Sequence, residues 1–223
     1  MIPSKKLETE KQHLIQNCKK CHGNGCSSCR GYCIYIDKMA EAEIPVDYWY
    51  REMKNFYGEE NFKNYINEYI NNLKNEYQNG ITIALVGERG RGKTMAACCV
   101  LKQAILEKFD VYYTTLSDLI FSITSNNYDI RHTARLVDFL TIDEVDQRFF
   151  PTQASMELFG NQLENILRSR MHNRMPTILC SNSLDISQIF GGEFKASFAS
   201  LGSQFIKIIP ATGADARKGK EKI

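Results

Sequence analysis

The sequence lacks any long uninterrupted apolar run. Its hydrophobic stretches break well before the roughly 18 residues that a membrane-crossing helix needs, which argues against a helical membrane protein. Residues 1–10, MIPSKKLETE, hold no apolar segment suited to a secretory signal, so a cytoplasmic, reducing setting is expected. Charge of one sign is scarce too. Against 28 Lys and Arg stand 26 Asp and Glu, a formal net charge of +2. Global electrostatics therefore neither demand nor forbid nucleic acid, and any DNA contact must be a local patch. No internal repeat and no long low-complexity linker is present. What remains is a chain of 223 residues with 43% hydrophobic content. That suffices for a real core in one substantial domain plus an appendage, or in two small domains.

Cysteine is unevenly spread. Of eight, five fall between Cys18 and Cys33. Cys98, Cys99 and Cys180 lie in apolar surroundings and read as small buried hydrophobes. In a reducing compartment the N-terminal group points to metal rather than disulfides. Cys18, Cys21, Cys26 and Cys29 form two C-x-x-C pairs, which can present four thiolates to one tetrahedral Zn²⁺. Gly23 and Gly25 allow the tight reversal between the pairs. The pairs stand closer together than in a zinc ribbon, and His22 or Cys33 can replace one ligand. An iron–sulfur cluster and free thiols stay open as alternatives.

Downstream of the cysteines, Pro45 disfavours helix at Ile44 and favours a helical start after it. Phe62, Ile66, Tyr69, Leu73 and Tyr77 recur at helical spacing and predict one amphipathic helix, with Asn79-Gly80 as its C-terminal cap. From Gly80 onward strands and helices alternate. Strands are predicted at 81–86, 111–115, within 136–142, at 177–180 and at 205–209. Helices are predicted over 94–108, from about Ser117, and over 154–172. Such alternation predicts an α/β fold with a parallel sheet covered on both faces and its ligand edge at the strand C-termini.

The strand at 81–86 runs into Gly87, Glu88, Arg89, Gly90, Arg91, Gly92, Lys93 and Thr94, with Met95 following in a helix. This is G-x-x-x-x-G-K-[ST] between a strand and a helix, the phosphate-cradling loop of nucleotide-binding proteins. Glycines let the loop curl so that backbone N–H groups face a triphosphate, and the helix N-terminus adds positive potential. Lys93 reaches the β- and γ-phosphates of ATP, and the Thr94 hydroxyl is a Mg²⁺ ligand. A second apolar strand ends in Asp143-Glu144. Asp143 is expected to hold Mg²⁺, directly or through water, and Glu144 to orient the attacking water. Asn182 follows the next strand, where a short amide can touch the γ-phosphate or that water.

Residues 87–94, the Asp143-Glu144 pair and the run from Pro176 to Asn182 together resemble AAA+ ATPases. More narrowly they resemble the DnaC/DnaI helicase-loader and IstB branch, from about Gly80 to Arg217. The resemblance implies strand order 5-1-4-3-2, the absence of a C-terminal helical lid, and a sensor role for Asn182. The segment from Ala42 to Trp49 is similar to the small-x-Ile-Pro-x-x-Tyr stretch that precedes loader cores. The first half of the cysteine cluster is similar to DnaJ-type zinc modules, and DnaI-like loaders carry an N-terminal zinc module that binds the helicase. A trans-acting arginine is implied as well. Arg168, Arg170 and Arg174 are the candidates, Arg170 foremost. Where the branch places an arginine in a Ser-Arg pair, this chain has Ser197-Phe198, with Lys195 nearby. Arg217 matches a terminal Gly-x-Asp-x-Arg. For DNA the available cations are Arg89, Arg91, Arg131, Arg135 and the tail Arg217, Lys218, Lys220 and Lys222, and none belongs to a base-reading motif.

The expected organisation is a cysteine-rich module over 1–37, a linker and amphipathic helix over 38–79, and an ATPase core over 80–223. The expected function is an ATP-dependent loader of a hexameric DnaB-type helicase onto single-stranded DNA, acting as a self-associating switch. The alternatives are an IstB-like transposition ATPase and an adaptor that binds ATP without hydrolysing it.

Overall fold

A computed structural model gives the architecture and describes residues 3–125, 128–146, 153–184, 206–213 and 215. The N-terminal third is helical: α1 (Ser4–Gln16), α2 (Ser27–Glu41), two 3-10 turns (Val46–Tyr48 and Met53–Asn55), α3 (Glu60–Asn71) and α4 (Leu73–Gln78). Alternation then begins with β1 (Thr82–Val86), α5 (Lys93–Leu106), β2 (Val111–Thr115), α6 (Leu116–Thr124) and α7 (Tyr128–Leu136). It continues with β3 (Phe139–Val145), α8 (Gln153–His172), β4 (Thr177–Ser181) and β5 (Ile206–Pro210). The five strands form one sheet in the order β2-β3-β4-β1-β5, every pair parallel. This is the 5-1-4-3-2 order implied by the resemblance, read from the other edge.

Strand periodicity of two divides the core. Ile83, Leu85, Ile178 and Cys180 point to one face and pack with α5 residues such as Val100 and Leu101. Ala84, Val86, Leu140, Ile142 and Leu179 point to the other and meet Leu119, Ala134, Leu163 and Leu167. Both faces are covered, so the strands read as nearly continuous apolar runs. The first face is completed by the N-terminal third: Ile36, Met39, Ile44, Trp49, Phe62, Ile66, Tyr69 and Leu73 belong to the same cluster. Residues 37 and 38, between which the cysteine-rich module was expected to end, both lie inside α2. Cys98, Cys99 and Cys180 are buried as expected.

Two parts of the chain differ from their sequence expectation. The amphipathic helix from Phe62 to Tyr77 is two helices, because the chain turns at Asn72. The Asn72 side-chain amide donates to the Glu68 carbonyl at 3.1 Å, a local bond that competes with helix continuation. A helix not foreseen, α7, runs through Leu136 and delays β3 to Phe139. The 3-10 turn after Pro45 is held from below by Lys102 of α5. Its buried ammonium donates to the carbonyls of Tyr48 (2.8 Å), Trp49 (3.3 Å) and Arg51. Among the described residues, no helix is long and apolar enough to cross a membrane.

Candidate functional site

The loop from Gly87 to Gly92 leaves the C-terminal end of β1, an interior strand between β4 and β5, at the sheet edge where ligands bind in such folds. Its glycines are conformational necessities. Gly90 and Gly92 sit at φ 81° and 83°, in the left-handed region, and Gly87 at φ 146°. A Cβ on Gly87 would come within 2.3 Å of the Ala211 carbonyl, and one on Gly92 within 2.3 Å of the Phe56 ring. The loop is therefore walled by the end of β5 on one side and by the lead-in segment on the other. Gly87 N–H donates to Ser181 at 3.2 Å, and Ala211 N–H donates to Val86 at 2.7 Å, which ties the loop to β4 and β5.

Lys93 opens α5 and is 7% exposed. Its ammonium donates to the Gly87 carbonyl (2.7 Å), the Glu88 carbonyl (2.8 Å) and the Asn182 amide oxygen (3.1 Å). Burial holds its pKa below the ordinary lysine value, and the Asp143 charge pulls the other way. So Lys93 bonds Asn182 and lies within reach of the Asp143 charge, three residues drawn from separated stretches of sequence. All three of the lysine's partners are neutral, a costly environment for a buried cation unless an anion joins it. A phosphate chain is an anion of the kind that backbone N–H groups of a glycine loop at a helix N-terminus take.

Asp143 is 5% exposed. Its carboxylate accepts the Tyr113 hydroxyl at Oδ2 (2.8 Å) and the Glu144 N–H at Oδ1 (2.7 Å). Here β3 departs from regular pairing with β4. Ile142 aligns with Leu179 and Val145 with Ser181, so Asp143 and Glu144 stand opposite Cys180 alone. Glu144 takes φ 55°, a left-handed conformation unusual for a residue with a side chain. This bulge keeps Asp143 buried and carries Glu144 to the exposed rim. Thr94 is in the first turn of α5. Burial raises the Tyr48 phenol, and the Asp143 charge and the Thr94 hydroxyl both act on it, so the lead-in segment reaches this end of the site. A hydroxyl and a carboxylate beside a phosphate cradle are a donor set that suits Mg²⁺, which is usually held by one or two carboxylates plus substrate phosphates.

The rest of the predicted loop set divides. Glu88 and Arg89 are exposed and Met95 is half-buried. Arg91 donates to the Glu88 carboxylate and to the Gly213 carbonyl, so the loop cation also fastens the residues after β5. Sequence reasoning missed the partner on that side. Glu59 accepts the Thr212 N–H (3.2 Å) and its hydroxyl, and the Thr212 hydroxyl holds the Glu59 carboxyl below its usual range. Tyr113 and Phe56 were missed as well. Only the apolar spacing of their own strand or turn marked them in the sequence.

Arg170 requires a correction. It cannot act as a finger reaching into a neighbour, because its side chain is fully buried at 0% exposure. Its five N–H donors are all engaged: Nε with Thr177 Oγ1 (2.9 Å), and the terminal nitrogens with the carbonyls of Ala134 (3.0 Å), Val137 (2.8 Å), Asp138 (3.1 Å) and Pro176 (2.7 Å). Burial lowers its pKa, opposed by Asp138. The planar fork pins the end of α7 and the starts of β3 and β4. Arg168 is paired with Glu164. Lys195, Ser197, Phe198, Arg217, Lys218, Lys220 and Lys222 lie outside the described residues.

The cysteine cluster forms a second site. The Sγ atoms of Cys18, Cys21, Cys26 and Cys29 all lie within 4.8 Å of one another. Individual separations are 3.8 Å (Cys18–Cys26) and 3.5 Å (Cys21–Cys29 and Cys26–Cys29). Four sulfurs at 2.3 Å from one tetrahedral Zn²⁺ would be about 3.8 Å apart, so the group is sized for that ion. His22 and Cys33 stand outside it. His22, Gly23 and Gly25 take positive φ and make the reversal between pairs. Cys26 caps α2, and its N–H donates to Cys29 Sγ at 3.1 Å, but burial and the neighbouring sulfurs outweigh that bond and push the Cys29 thiol up to about 12. Burial works to raise the Cys21 thiol, but the Cys26 and Gly25 backbone bonds and the neighbouring sulfurs outweigh it and bring it down to about 6.

A cavity of about 610 Å³ lies elsewhere. It lies between α2, the 3-10 turns and α5, lined by Tyr32, Trp49, Tyr50, Met53 and Leu106 among others. The convergence of charge and backbone donors, rather than volume, marks the glycine loop as the chemical site.

Comparison with known proteins agrees with this fold. The protein-family model described as IstB-like ATP binding protein matches residues 69–193. Among solved structures, DnaI superposes with a TM-score of 0.63 at 16% identity, over 78% of this chain and 94% of that one. A putative primosome component from Streptococcus pyogenes serotype M3 gives 0.58 at 14%, over 80% and 97%. The DnaC helicase loader gives 0.55 at 19%, over 75% and 100%. No curated protein matches the sequence.

Proposed function

Because the chain belongs to the IstB-like ATP-binding protein family, we propose that it is an ATP-hydrolysing loader of a hexameric DnaB-type replicative helicase onto single-stranded DNA. The observation that carries the reading is a buried Lys93 that sits on a glycine loop, bonds Asn182 and feels the Asp143 charge. Gly87 to Thr94, with Met95 behind them, bind the nucleotide. Lys93 exchanges its loop carbonyls for phosphate oxygens. Thr94 and Asp143 hold Mg²⁺, which when bound neutralises charge on the phosphates. Glu144, on the exposed rim of the bulge, accepts a hydrogen bond from the attacking water and orients it. Asn182 already touches Lys93 and senses the γ-phosphate. Its contact differs between the triphosphate and diphosphate states, which is how hydrolysis switches the assembly.

The cysteine cluster supports the loader over the transposition alternative. Four thiols at zinc spacing precede the core, where DnaI-like loaders carry their helicase-binding module. In this reading Zn²⁺ is structural, the N-terminal region contacts the helicase, like subunits assemble through the core, and the protein works in the cytoplasm. The test uses the full chain, because residues 36–73 share the core of the sheet. ATP turnover is measured with and without single-stranded DNA and a DnaB-type helicase, and helicase capture is followed by co-elution. ATP-dependent co-elution with stimulated turnover is expected. Uptake of ATP with no turnover under any condition would leave the adaptor reading. Filament formation on duplex DNA without helicase binding would favour the transposition reading.

A further inference from the structure

Beyond the residues of the nucleotide motif, Asp143 depends on a group from a different strand. We propose that Tyr113 is the positioning residue for the magnesium carboxylate. The inference rests on the nucleotide reading above.

Tyr113 lies in β2, an edge strand paired with β3, and its ring is 8% exposed. A buried phenol needs a hydrogen-bond partner, and this one takes Asp143 Oδ2 at 2.8 Å. The Glu144 N–H takes Oδ1 at 2.7 Å. Each oxygen therefore carries one of these donors, and the buried Cys180 thiol also bonds to the carboxylate, which together fix its plane and still leave a lone pair for a cation. The backbone that carries the ring is anchored as well. Tyr113 N–H donates to the Ala42 carbonyl at 2.8 Å, at the C-terminal cap of α2. The bulge makes this support necessary: between Ile142 and Val145 the strand has lost its regular register with β4, so Asp143 is braced on only one side by its ladder. A ligating carboxylate is typically oriented by such an outer hydrogen bond, and loss of the bond costs about 10–100-fold in metal affinity.

A phenol that merely fills space makes a different prediction from one that aims a ligand. Tyr113→Phe keeps the ring and removes only the donor. Calorimetry on the full chain should measure ATP affinity in EDTA and then across a Mg²⁺ series. In EDTA the variant should match the parent. The Mg²⁺ concentration for half of the gain in ATP affinity should rise about tenfold. Asp143→Asn sets the scale for complete loss of the Mg²⁺ response. A Tyr113→Phe protein with the parent's Mg²⁺ response overturns the proposal and leaves the nucleotide reading standing. Equal weakening in EDTA and in Mg²⁺ also overturns it, since that is the pattern of general structural damage. A parent chain that takes up no nucleotide in either condition removes both.

Discussion

Two of the three cations buried among the described residues, Lys93 and Arg170, look alike in the sequence and differ in the fold. Each lies in or beside a helix that packs on the sheet, and each is nearly or wholly withdrawn from solvent. Arg170 is saturated: five donors meet five acceptors, all belonging to chain segments that must be joined for the sheet to form. Lys93 rests on two carbonyls of a glycine loop and one amide, with Asp143 close enough to act on its charge. The first arrangement closes on itself. The second is a cation awaiting a better partner. Burial alone does not identify a ligand site; the difference lies in whether the cation's acceptors are structural ends or a loop that can release it.

That contrast can be broken by substitution. The largest effect belongs to Arg170→Ala, which strands four carbonyls and a hydroxyl. At 1–3 kcal/mol for each unsatisfied buried group, a loss above about 3 kcal/mol is expected in urea unfolding. A variant as stable as the parent would show that the fork is dispensable. Next comes Lys93→Ala. ATP affinity should fall at least about 30-fold, since removing a buried charge partner costs about 2–5 kcal/mol. The unfolding midpoint should stay or rise, because a desolvated cation has been deleted. A falling midpoint would make Lys93 structural, like Arg170.

Glu144→Gln sharpens the comparison by separating binding from chemistry. Turnover should drop by about 10²-fold or more while calorimetric ATP affinity is kept. Unchanged turnover would take Glu144 out of its water-orienting role. The smallest effect is expected from chelation at the cysteine cluster. It lies at the far end of α2 from Ala42, about 22 Å along a helix of this length. Removing a bound ion should loosen the helix N-terminus in hydrogen exchange, yet leave ATP affinity within about twofold. A larger change would couple the two sites.

How much of this could be read beforehand follows from how local each signal was. The phosphate loop is a contiguous string, and its place between a strand and a helix was legible. So were the order of strands, through the resemblance, and the four thiols, through their spacing. Arg170 was misread because its acceptors lie at residues 134–138 and 176–177, brought to it only by the packing of α7 against β3 and β4. Tyr113 sat unnoticed in an ordinary β-branched and aromatic strand, where nothing in the alternation shows what a phenol faces. The bulge at Glu144 was equally hidden, since Asp-Glu after an apolar strand reads the same in regular or left-handed backbone. The break at Asn72 had a local cause, an amide that caps its own turn, but apolar spacing alone outvoted it.

The bond from Tyr113 to Ala42 has one more consequence. Strand β2 is the outermost rail of the sheet on its side, and an outermost rail offers unpaired backbone groups to any passing chain. The α2 terminus occupies one of those groups, and the helices before residue 80 roof the apolar floor beneath. A fragment beginning at residue 80 would keep the whole nucleotide motif and lose both guards. Such a fragment should stick to copies of itself, so preparations meant for enzymology need the helical preface left attached.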